Sequence, residues 1–524
     1  MRILDPDVVG LASIARRVAA GDTAVLQRFA TVAVTEEFCT LRSRQGASRA
    51  RIADVIRTSM APCDLSERQS HELARVLLPS SVMVLTGQQV GMMGGPMYTL
   101  YKIRSAVAEA RRLEAQLSVP VIPVFWLEDN DHDAVEAAAL TLPGQDALPQ
   151  SITPWENDGR RLPVSLRMCD TTLHAAVEAA SHQLHGPHEE AARHRVTSAW
   201  SAGTLWTDAF LSMLAPYLQR WGVLVVRASE IIRSGMHQPL VLMDAEAHTI
   251  TTALKQGSAR CAELGLTVQA APADFGFFVI DENVRRRPDP TEPGLVDRAH
   301  HEPESFSPSV LTRPLVQDAI LPTVMNIVGA AELAYHAQLR EAYAACGIIQ
   351  PIVQLRHSAT LVSPKIQRLL AKSETDVAEY FRSWSSIERE LASRLTEDMF
   401  PDAAAKDHMV GAMLAPYQNA ASEIDVTLIP TVAAQRAGIM ASLEALEGKI
   451  RAAAKRRHAA TLDRARTVHA SLMPGDVLQE RVYPLALWEA QVGIDGLDHV
   501  LAVVDGVAAG HHLLLDLPST HVGS

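Results

Sequence analysis

SVMVLTGQQVGMMGGPMYTLYK, residues 81–102, joins a short apolar run to a glycine-rich turn and to the start of a helical pattern. The apolar run at 81–86 predicts a buried strand, and apolar residues three and four positions apart predict a helix at 95–117. A second, fully apolar strand is predicted at 120–127. Because two such strands are separated by a helix, the stretch predicts a crossover connection within a parallel sheet.

The same order of elements returns further along the chain. The later predicted elements are a helix at 204–221, a strand at 222–228, a helix at 230–256, a strand at 323–329, a helix at 330–346 and a strand at 348–355. Such alternation predicts an α/β fold with helices on both faces of a mostly parallel sheet. We therefore predict a Rossmann-like parallel-sheet core at 1–365, with two insertions at about 143–200 and 281–309, where proline and polar residues interrupt the pattern.

From residue 366 onward the sequence changes to helical patterns with few glycines. Residues 429–472 carry an apolar stripe with the spacing of a coiled-coil seam, and Asp425 is predicted to cap the turn between two antiparallel arms. The stripe consists of Ile439, Leu443, Leu446, Ile450, Leu462, Ala465 and Leu472. We predict an α-helical coiled-coil domain at 366–472 and a C-terminal segment at 473–524 that returns to the core.

An arm of this length cannot bury its own stripe, so it needs its sister helix, a second chain, or both. Charged residues, Glu447 among them, are predicted on its other faces. We expect a homodimer through the coiled coil. The alternative is a plain helical subdomain that packs on the core.

Composition narrows the function classes. The chain has 524 residues, of which 48% are hydrophobic. Its formal net charge of -12 argues against a general nucleic-acid binder. The N-terminal residues show no signal peptide, and apolar stretches such as 119–127 are too short to span a bilayer. The five cysteines form no CxxC pair and are typical of reduced thiols. We expect a cytoplasmic protein without nucleic-acid or membrane partners.

The glycine-rich turn fits neither Walker A nor the GxGxxG fingerprint, because Lys102 lies well inside the helix and Gly95 follows Gly94 directly. Glycines after a strand still let backbone N–H groups approach an anion, and the N-terminus of the next helix attracts an anion as well. The predicted substrate- or nucleotide-binding residues of this turn are Gly87, Gln88, Gln89, Gly94, Gly95, Tyr98 and Thr99, with Lys102 beside them. The alternative is a tight turn whose glycines serve packing.

A dense titratable cluster, FWLEDNDHD at 125–133, follows the second strand. Ligands of open parallel sheets bind beyond the carboxyl ends of the strands, so the cluster lies at the edge where the glycine turn lies. Its titratable residues can together hold Mg²⁺, or its acids can orient a histidine base; they are Glu128, Asp129, Asp131, His132 and Asp133. An EF-hand is excluded, because Ala134 stands in place of the glycine. The alternative is a solvated acidic loop.

A third group comes from LTRPLVQD at 311–318 and VGAAELAYHAQL at 328–339. Its candidates are Arg313 as a fork for carboxylate or phosphate, Gln317, and Glu332 and Tyr335 on the first turns of the next helix. Glu332 as a helix-terminal charge and Tyr335 as a core residue remain the alternative. Histidine-rich positions such as 182–188, 300–301 and 511–512 lack a zinc pattern and are predicted to be surface residues.

These motifs, together with LQERVYP at 478–484, resemble the cysteine-adding enzyme family of bacillithiol biosynthesis, BshC. The resemblance runs from about residue 80 to the C-terminus. It implies a Rossmann-like core with two connecting insertions and a coiled-coil domain that makes a dimer. It also implies a ligase that joins cysteine to glucosaminyl-malate, and an association with an adenine nucleotide, ATP or ADP.

Amide formation from cysteine requires an activated carboxylate, most simply through ATP. Under this resemblance, residues 87–96 hold phosphates or a substrate carboxylate, Lys102 or Arg313 neutralises developing charge, and His132 takes the proton of the amine. Two alternatives stay open. One is a nucleotidyl- or glycosyltransferase whose acids bind metal, and the other is a non-catalytic, nucleotide-sensing coiled-coil scaffold.

Overall fold

A computed structural model describes residues 1–5, 8–10, 12–29, 33–144, 148–373, 375–395, 399–508 and 510–518. The chain forms two compact units. An α/β unit comprises Met1–Gln367 and Val477–Ser524, and a helical unit comprises Arg368–Asp476.

The strands of the described residues belong to four sheets. They are β1 Arg2–Leu4, β2 Val82–Gln89, β3 Val121–Glu128, β4 Leu140–Pro143, β5 Pro149–Ile152, β6 Leu224–Arg227, β7 Phe277–Asp281, β8 Val284–Arg286, β9 Phe306–Pro308, β10 Thr323–Val328, β11 Ile352–Leu355, β12 Ser358–Val362 and β13 His512–Asp516.

The described residues of the two units also form α-helices. They are α1 Ser13–Ala19, α2 Thr23–Leu26, α3 Glu36–Ser43, α4 Arg49–Met60, α5 Glu67–Val76, α6 Tyr98–Leu117, α7 Ala134–Ala138, α8 Thr171–Ser181, α9 Glu189–Ala199, α10 Trp206–Trp221, α11 Ala228–Arg233, α12 Gln238–Ala247, α13 Thr249–Glu263, α14 Leu295–His301, α15 Arg313–Ile320, α16 Ala330–His336, α17 Arg340–Ala345, α18 Pro364–Leu370, α19 Trp384–Arg394, α20 Ala403–Ile424, α21 Ile429–Arg457, α22 Ala459–Leu472 and α23 Leu485–Leu501.

The central sheet has the strand order β11-β10-β2-β3-β6, and every neighbouring pair is parallel. Val82 and Val84 lie in one core cluster while Met83 and Leu85 lie in another, so both faces of β2 are buried. The predicted Rossmann-like α/β fold is confirmed. The chain moves outward from β2 through β3 to β6 and then returns to the other side of β2, which makes the β2/β10 boundary the switch point of the sheet.

Three smaller sheets accompany the central sheet within the described residues. The β4–β5 hairpin opens the first insertion, and α8 and α9 follow in it. The second insertion holds the antiparallel sheet β8-β7-β9, which begins at Phe277, before the predicted start of that insertion. The C-terminal strand β13 pairs in parallel with β12 and antiparallel with β1, within the α/β unit.

Two predicted helices are wrong in detail. The single helix expected at 230–256 is three helices, α11 to α13, because Gly235 and His248 adopt a positive φ between them. The helix expected at 330–346 breaks into α16 and α17 around Gln338, whose buried side chain donates to the Ser258 hydroxyl.

In the helical unit, α20 and α21 pack as a hairpin, and Asp425 accepts a hydrogen bond from the Thr427 N–H in the turn. The predicted apolar stripe is only partly covered, since Leu446 is 54% exposed. Glu447, expected on an outer face, is buried, and Lys406 on α20 donates to its carboxylate at 2.8 Å. The prediction for Glu447 is therefore wrong, because the hairpin turns this residue inward.

By length and composition alone, Val426–Arg457 passes as a helix able to cross a membrane. An 18-residue window within it has a mean hydropathy of 1.2, and no residue of that window is buried. The expectation that every apolar stretch is too short is therefore wrong for this segment. Its packing along α20 and its coiled-coil spacing favour the arm of a helical hairpin over a membrane span.

Candidate active site

A cavity of about 420 Å³ lies at the carboxyl edge of the central sheet, beside the switch point. The ends of β2 and β3 contribute Gly87 and Glu128 to it, and Gly329 follows β10. The cavity is lined by Gly87, Gln88, Gln89, Tyr98, Lys102, Trp126, Glu128, Asp131, His132, Glu136, Phe278, Arg285, Arg287, Pro308, Ser309, Val310, Arg313, Gly329, Ala331, Glu332, Tyr335, Arg356 and Arg481.

A largely buried ion pair joins α6, the helix after β2, to α16, which carries Glu332 of the third group of predicted residues. Lys102 on α6 lies 2.5 Å from the Glu332 carboxylate on α16, and it donates to the Gly87 carbonyl at 2.8 Å and to Gln88 Oε1 at 2.9 Å. Burial lowers the pKa of Lys102, and Glu332 opposes this effect. Burial acts to raise the pKa of Glu332, but Lys102 and the Gly329 N–H bring that pKa below its ordinary value.

Arg313, at the start of α15, forms the next contact in this charged network. Its Nη2 donates to the Tyr335 hydroxyl at 2.8 Å, its Nη1 donates to Gln317 Oε1 at 3.2 Å, and its Nε lies 3.9 Å from Glu128 Oε2. Burial raises the pKa of Glu128, while Arg313 and the hydrogen bond from Trp126 oppose the rise. The guanidinium is thus held in place by neutral acceptors and keeps a carboxylate nearby.

His132 lies between a carboxylate and a guanidinium in the loop after β3. Its Nδ1 is 3.3 Å from Asp131 Oδ1 and 3.3 Å from Nη1 of Arg285, which also donates to Asp131 at 2.9 Å. Burial, together with nearby Arg285, lowers the pKa of His132, so the imidazole is neutral at neutral pH. Because a guanidinium can only donate, its contact makes Nδ1 an acceptor and leaves the imidazole proton on Nε2.

Gly94, Gly95 and Thr99 were predicted to bind ligand, but they lie outside the cavity lining. A Cβ on Gly94 would meet the Leu485 side chain at 2.9 Å, and one on Gly95 would meet the Phe210 ring at 3.2 Å. Thr99 is buried beneath Gly95. These glycines serve close packing on α10 and α23, which was the alternative interpretation of the turn.

Asp133 and Gln317 also lie outside the lining. The Asp133 carboxylate caps the first turn of α7 by accepting from the Glu136 N–H at 2.9 Å, so it does not orient His132. Gln317 is buried and donates to Asn326 Oδ1 at 2.8 Å. It acts on the cavity only by holding Arg313. Among the predicted surface histidines, His512 is instead buried, because β13 is an inner strand of its sheet.

Comparison with known proteins covers both units. The model of the bacillithiol biosynthesis BshC N-terminal Rossmann-like domain matches residues 13–357, and the model of the BshC C-terminal coiled-coil domain matches residues 359–515. The chain belongs to the BshC family. The predicted coiled-coil character of the C-terminal helices is confirmed by this match.

Three similar relatives carry the name putative cysteine ligase BshC. The protein of Salinibacter ruber is 29% identical over 464 residues, which cover 84% of each chain. The protein of Chloroherpeton thalassium is 28% identical over 443 residues, which cover 78% of each chain. The protein of Geobacillus sp. is 26% identical over 483 residues, which cover 86% of this chain and 88% of the relative.

In this BshC-family cavity, five residues that the sequence did not single out supply much of the lining. Arg285, Arg287 and Phe278 come from the second insertion, while Arg356 follows β11 and Arg481 belongs to the C-terminal segment. The run of three arginines at 285–287 in an acidic chain was the available signal for the insertion. Arg481 lies within the LQERVYP motif, whose position in the fold the sequence could not give.

Protein ligands for a metal are not assembled in the described part of the chain, where no three His, Cys, Asp or Glu side chains form a metal-binding group. The DNDHD acids instead make other contacts. Asp129 is buried and accepts from the Ser229 N–H at 2.8 Å, and Asp131 pairs with Arg285. The described side chains of this loop therefore do not fit a Mg²⁺ ion held by the protein alone. A Mg²⁺ ion carried by nucleotide phosphates needs few protein ligands.

Proposed function

We propose that this protein is an ATP-dependent carbon–nitrogen ligase that joins cysteine to glucosaminyl-malate in the last step of bacillithiol biosynthesis. Membership of the BshC family and the name of its relatives support a cysteine ligase. The observation that carries the proposal is the meeting of Lys102, Arg313 and His132 at the switch point of the sheet. Cationic and proton-transferring groups in one cavity are what amide formation at a carboxylate needs.

The cations of the cavity are fixed before any ligand binds. Lys102 is held by Glu332 and by two oxygens of the β2 end, and Arg313 is held by Tyr335 and Gln317. Fixed donors in a partly buried site stabilise developing negative charge without having to reorganise. ATP supplies the activation of the cysteine carboxylate when it is bound. In our proposal the role of Arg313 and Lys102 is to hold the anionic group and to neutralise its charge.

The attacking amine of glucosaminyl-malate has to lose a proton. We assign this proton to His132, because its lowered pKa keeps the imidazole neutral. To accept on Nε2, the imidazole must carry its own proton on Nδ1, where Asp131 Oδ1 at 3.3 Å can accept it and the Arg285 contact must open. Glu128 and Glu136, whose pKa values are raised by burial, are further groups of the cavity able to take a proton.

We further propose that the protein works as a cytoplasmic homodimer. The half-exposed stripe on α21 supports pairing of two arms, since Leu446 and Ile450 keep 54% and 37% of their surface exposed. The five cysteines are free thiols, as expected in a reducing compartment.

The direct test is product analysis with the purified protein. Cysteine, glucosaminyl-malate and ATP are incubated together, the thiols are labelled, and the product is identified by mass spectrometry. We expect bacillithiol only when all three are present, and accumulation of glucosaminyl-malate in cells that lack the protein. Transfer of a nucleotidyl or glycosyl group without amide formation would replace the proposal by the transferase alternative.

A further inference from the structure

One arginine pair of the cavity is built around Tyr98, and we name it the tyrosine pair. The guanidinium carbons of Arg356 and Arg481 lie 5.4 and 5.7 Å from the centre of the Tyr98 ring. Arg356 is buried and forms a double hydrogen bond to the Glu480 carboxylate at 2.6 and 3.0 Å. Its Nε makes no hydrogen bond within the described residues, and it lies next to Gly329, another residue of the lining.

A second pair of the same construction is built around Phe278, and we name it the phenylalanine pair. The guanidinium carbons of Arg285 and Arg287 lie 3.9 and 4.5 Å from the centre of that ring. Arg285 is buried, and it donates to Asp131 at 2.9 Å and to the Pro308 carbonyl at 2.6 Å. Its Nε is likewise without a hydrogen-bond partner among the described residues.

In each pair the buried arginine is already neutralised by a carboxylate, and the other arginine is not. Arg287 and Arg481 are exposed, and neither forms an ion pair with any residue that the structure describes. Each pair therefore offers one unpaired guanidinium and one buried N–H that lacks an acceptor. A carboxylate or a phosphate satisfies both, because its oxygens accept from a guanidinium in a forked geometry.

We propose that the two pairs bind two different anionic groups at the same time. The tyrosine pair binds the dicarboxylate of the malyl group, and the phenylalanine pair binds a phosphoryl group at the reacting end. This assignment rests on the proposed function. Lys102, whose Nζ lies 5.7 Å from the centre of the Tyr98 ring, is neutralised by Glu332, so the charge that the tyrosine pair leaves open to a ligand is that of Arg481.

Proximity to His132 assigns the phenylalanine pair to the reacting end. Arg285 contacts His132 Nδ1, and the imidazole lies 6.2 Å from the Phe278 ring, so a group bound here is next to the side chain that handles protons. The tyrosine pair is anchored instead by Glu480, which is fully buried and also accepts from the Ser358 hydroxyl at 2.9 Å. A rigid anchor of this kind suits recognition of a part of the substrate that does not react.

Calorimetric titration with two probes, malate and inorganic phosphate, tests the assignment without turnover. We expect Arg481→Gln to weaken malate binding about tenfold or more and to leave phosphate binding within about twofold, since a hydrogen bond to a charged group is lost. Arg287→Gln is expected to do the reverse. Malate affinity should stay the same when phosphate is saturating. Arg389→Gln, an exposed arginine of the helical unit, is the matched control and should change neither affinity.

Three results would overturn the assignment. They are equal weakening of both probes by both variants, competition between malate and phosphate, and the absence of binding of either probe to the unaltered protein. The assignment and the proposed function fail separately. If Arg481→Gln selectively lost malate binding in a protein that makes no bacillithiol, the result would support the subsite and refute the proposed ligase function. Product formation with no separation of the probes would do the opposite.

Discussion

The ion pair between Lys102 and Glu332 makes a quantitative prediction about the stability of the site. Lys102 is only 4% exposed and Glu332 is 20% exposed, and the two charges lie 2.5 Å apart. Lys102→Met keeps the unbranched apolar stem of the side chain but removes its terminal ammonium, with its charge and its hydrogen bonds to Gly87 and Gln88. Glu332 is then left as a largely buried carboxylate without its closest cation.

The magnitude follows from the separation and the burial. At an effective dielectric constant of about 20, two unit charges at this distance attract by roughly 6–7 kcal/mol, and desolvation of both groups offsets much of that. Removing one partner of a buried pair costs about 3–5 kcal/mol. We expect the lower end of this range, because Arg313 also acts on Glu332. Glu332→Gln should cost a similar amount, and the double variant should recover about 2–3 kcal/mol of the summed loss.

Urea unfolding of the two single variants and the double variant, followed by tryptophan fluorescence, gives the coupling free energy. Lys372→Met removes an exposed lysine and serves as the matched control, which should change the free energy of unfolding by no more than about 0.5 kcal/mol. Additive losses in the double variant would show that the two charges do not stabilise each other. In that case the pair would not fix Lys102 in place, and the role proposed for Lys102 as a preorganised cation would be refuted.

Three further predictions concern catalysis, assembly and the glycine turn. His132→Ala should lower turnover about 10²–10⁴-fold without loss of fold, and retained turnover would refute the assigned base. Because the pKa of His132 lies below its ordinary value of 6.5, the rate of the unaltered enzyme should fall only when the pH drops below 6.5. Leu443→Glu with Leu446→Glu should give a monomer with a folded α/β unit, and an unchanged mass in light scattering would move the interface elsewhere. Gly94→Ala should lower the free energy of unfolding by at least about 1–2 kcal/mol, because φ is +87° there. Gly87→Ala should instead slow turnover at nearly constant melting temperature, since its methyl group would touch Arg313. The reverse result would restore a ligand role for Gly94.

Local patterns were enough to predict the architecture, because a buried parallel strand and an amphipathic helix leave a period in the sequence. The run from β2 through α6 to β3 was predicted to within a few residues. The breaks near Gly235 and Gln338 were not predicted, since one depends on a backbone conformation and the other on a buried partner, Ser258, far away in the chain.

The residues of the candidate site likewise divide into those that the sequence could place and those that it could not. Residues at or shortly after the end of a strand, such as Gln89 and His132, could be placed at the edge of the sheet from the order of the elements. Arg287 and Arg481 come from an insertion and from the C-terminal segment. The run of arginines at 285–287 is a local signal of charge, but neither sequence context indicates that its arginine reaches the cavity. The role of Gly94 depends on Leu485 lying against it, a contact between residues almost four hundred positions apart.

The course of β2 explains why arginine side chains dominate this cavity although a glycine-rich turn follows the strand. In a phosphate-binding loop, free backbone N–H groups face the anion. Here β2 continues past the expected end of the strand, and its pairing with β3 extends to Gln89 opposite Glu128. The turn that follows packs under Leu485 and Phe210. Because the backbone pairs within the sheet and the turn serves packing, we propose that anions are recognised by guanidinium groups that distant segments bring to the edge of the sheet. This requires the loss of an arginine to weaken anion binding more than any change within residues 91–95 that preserves the fold.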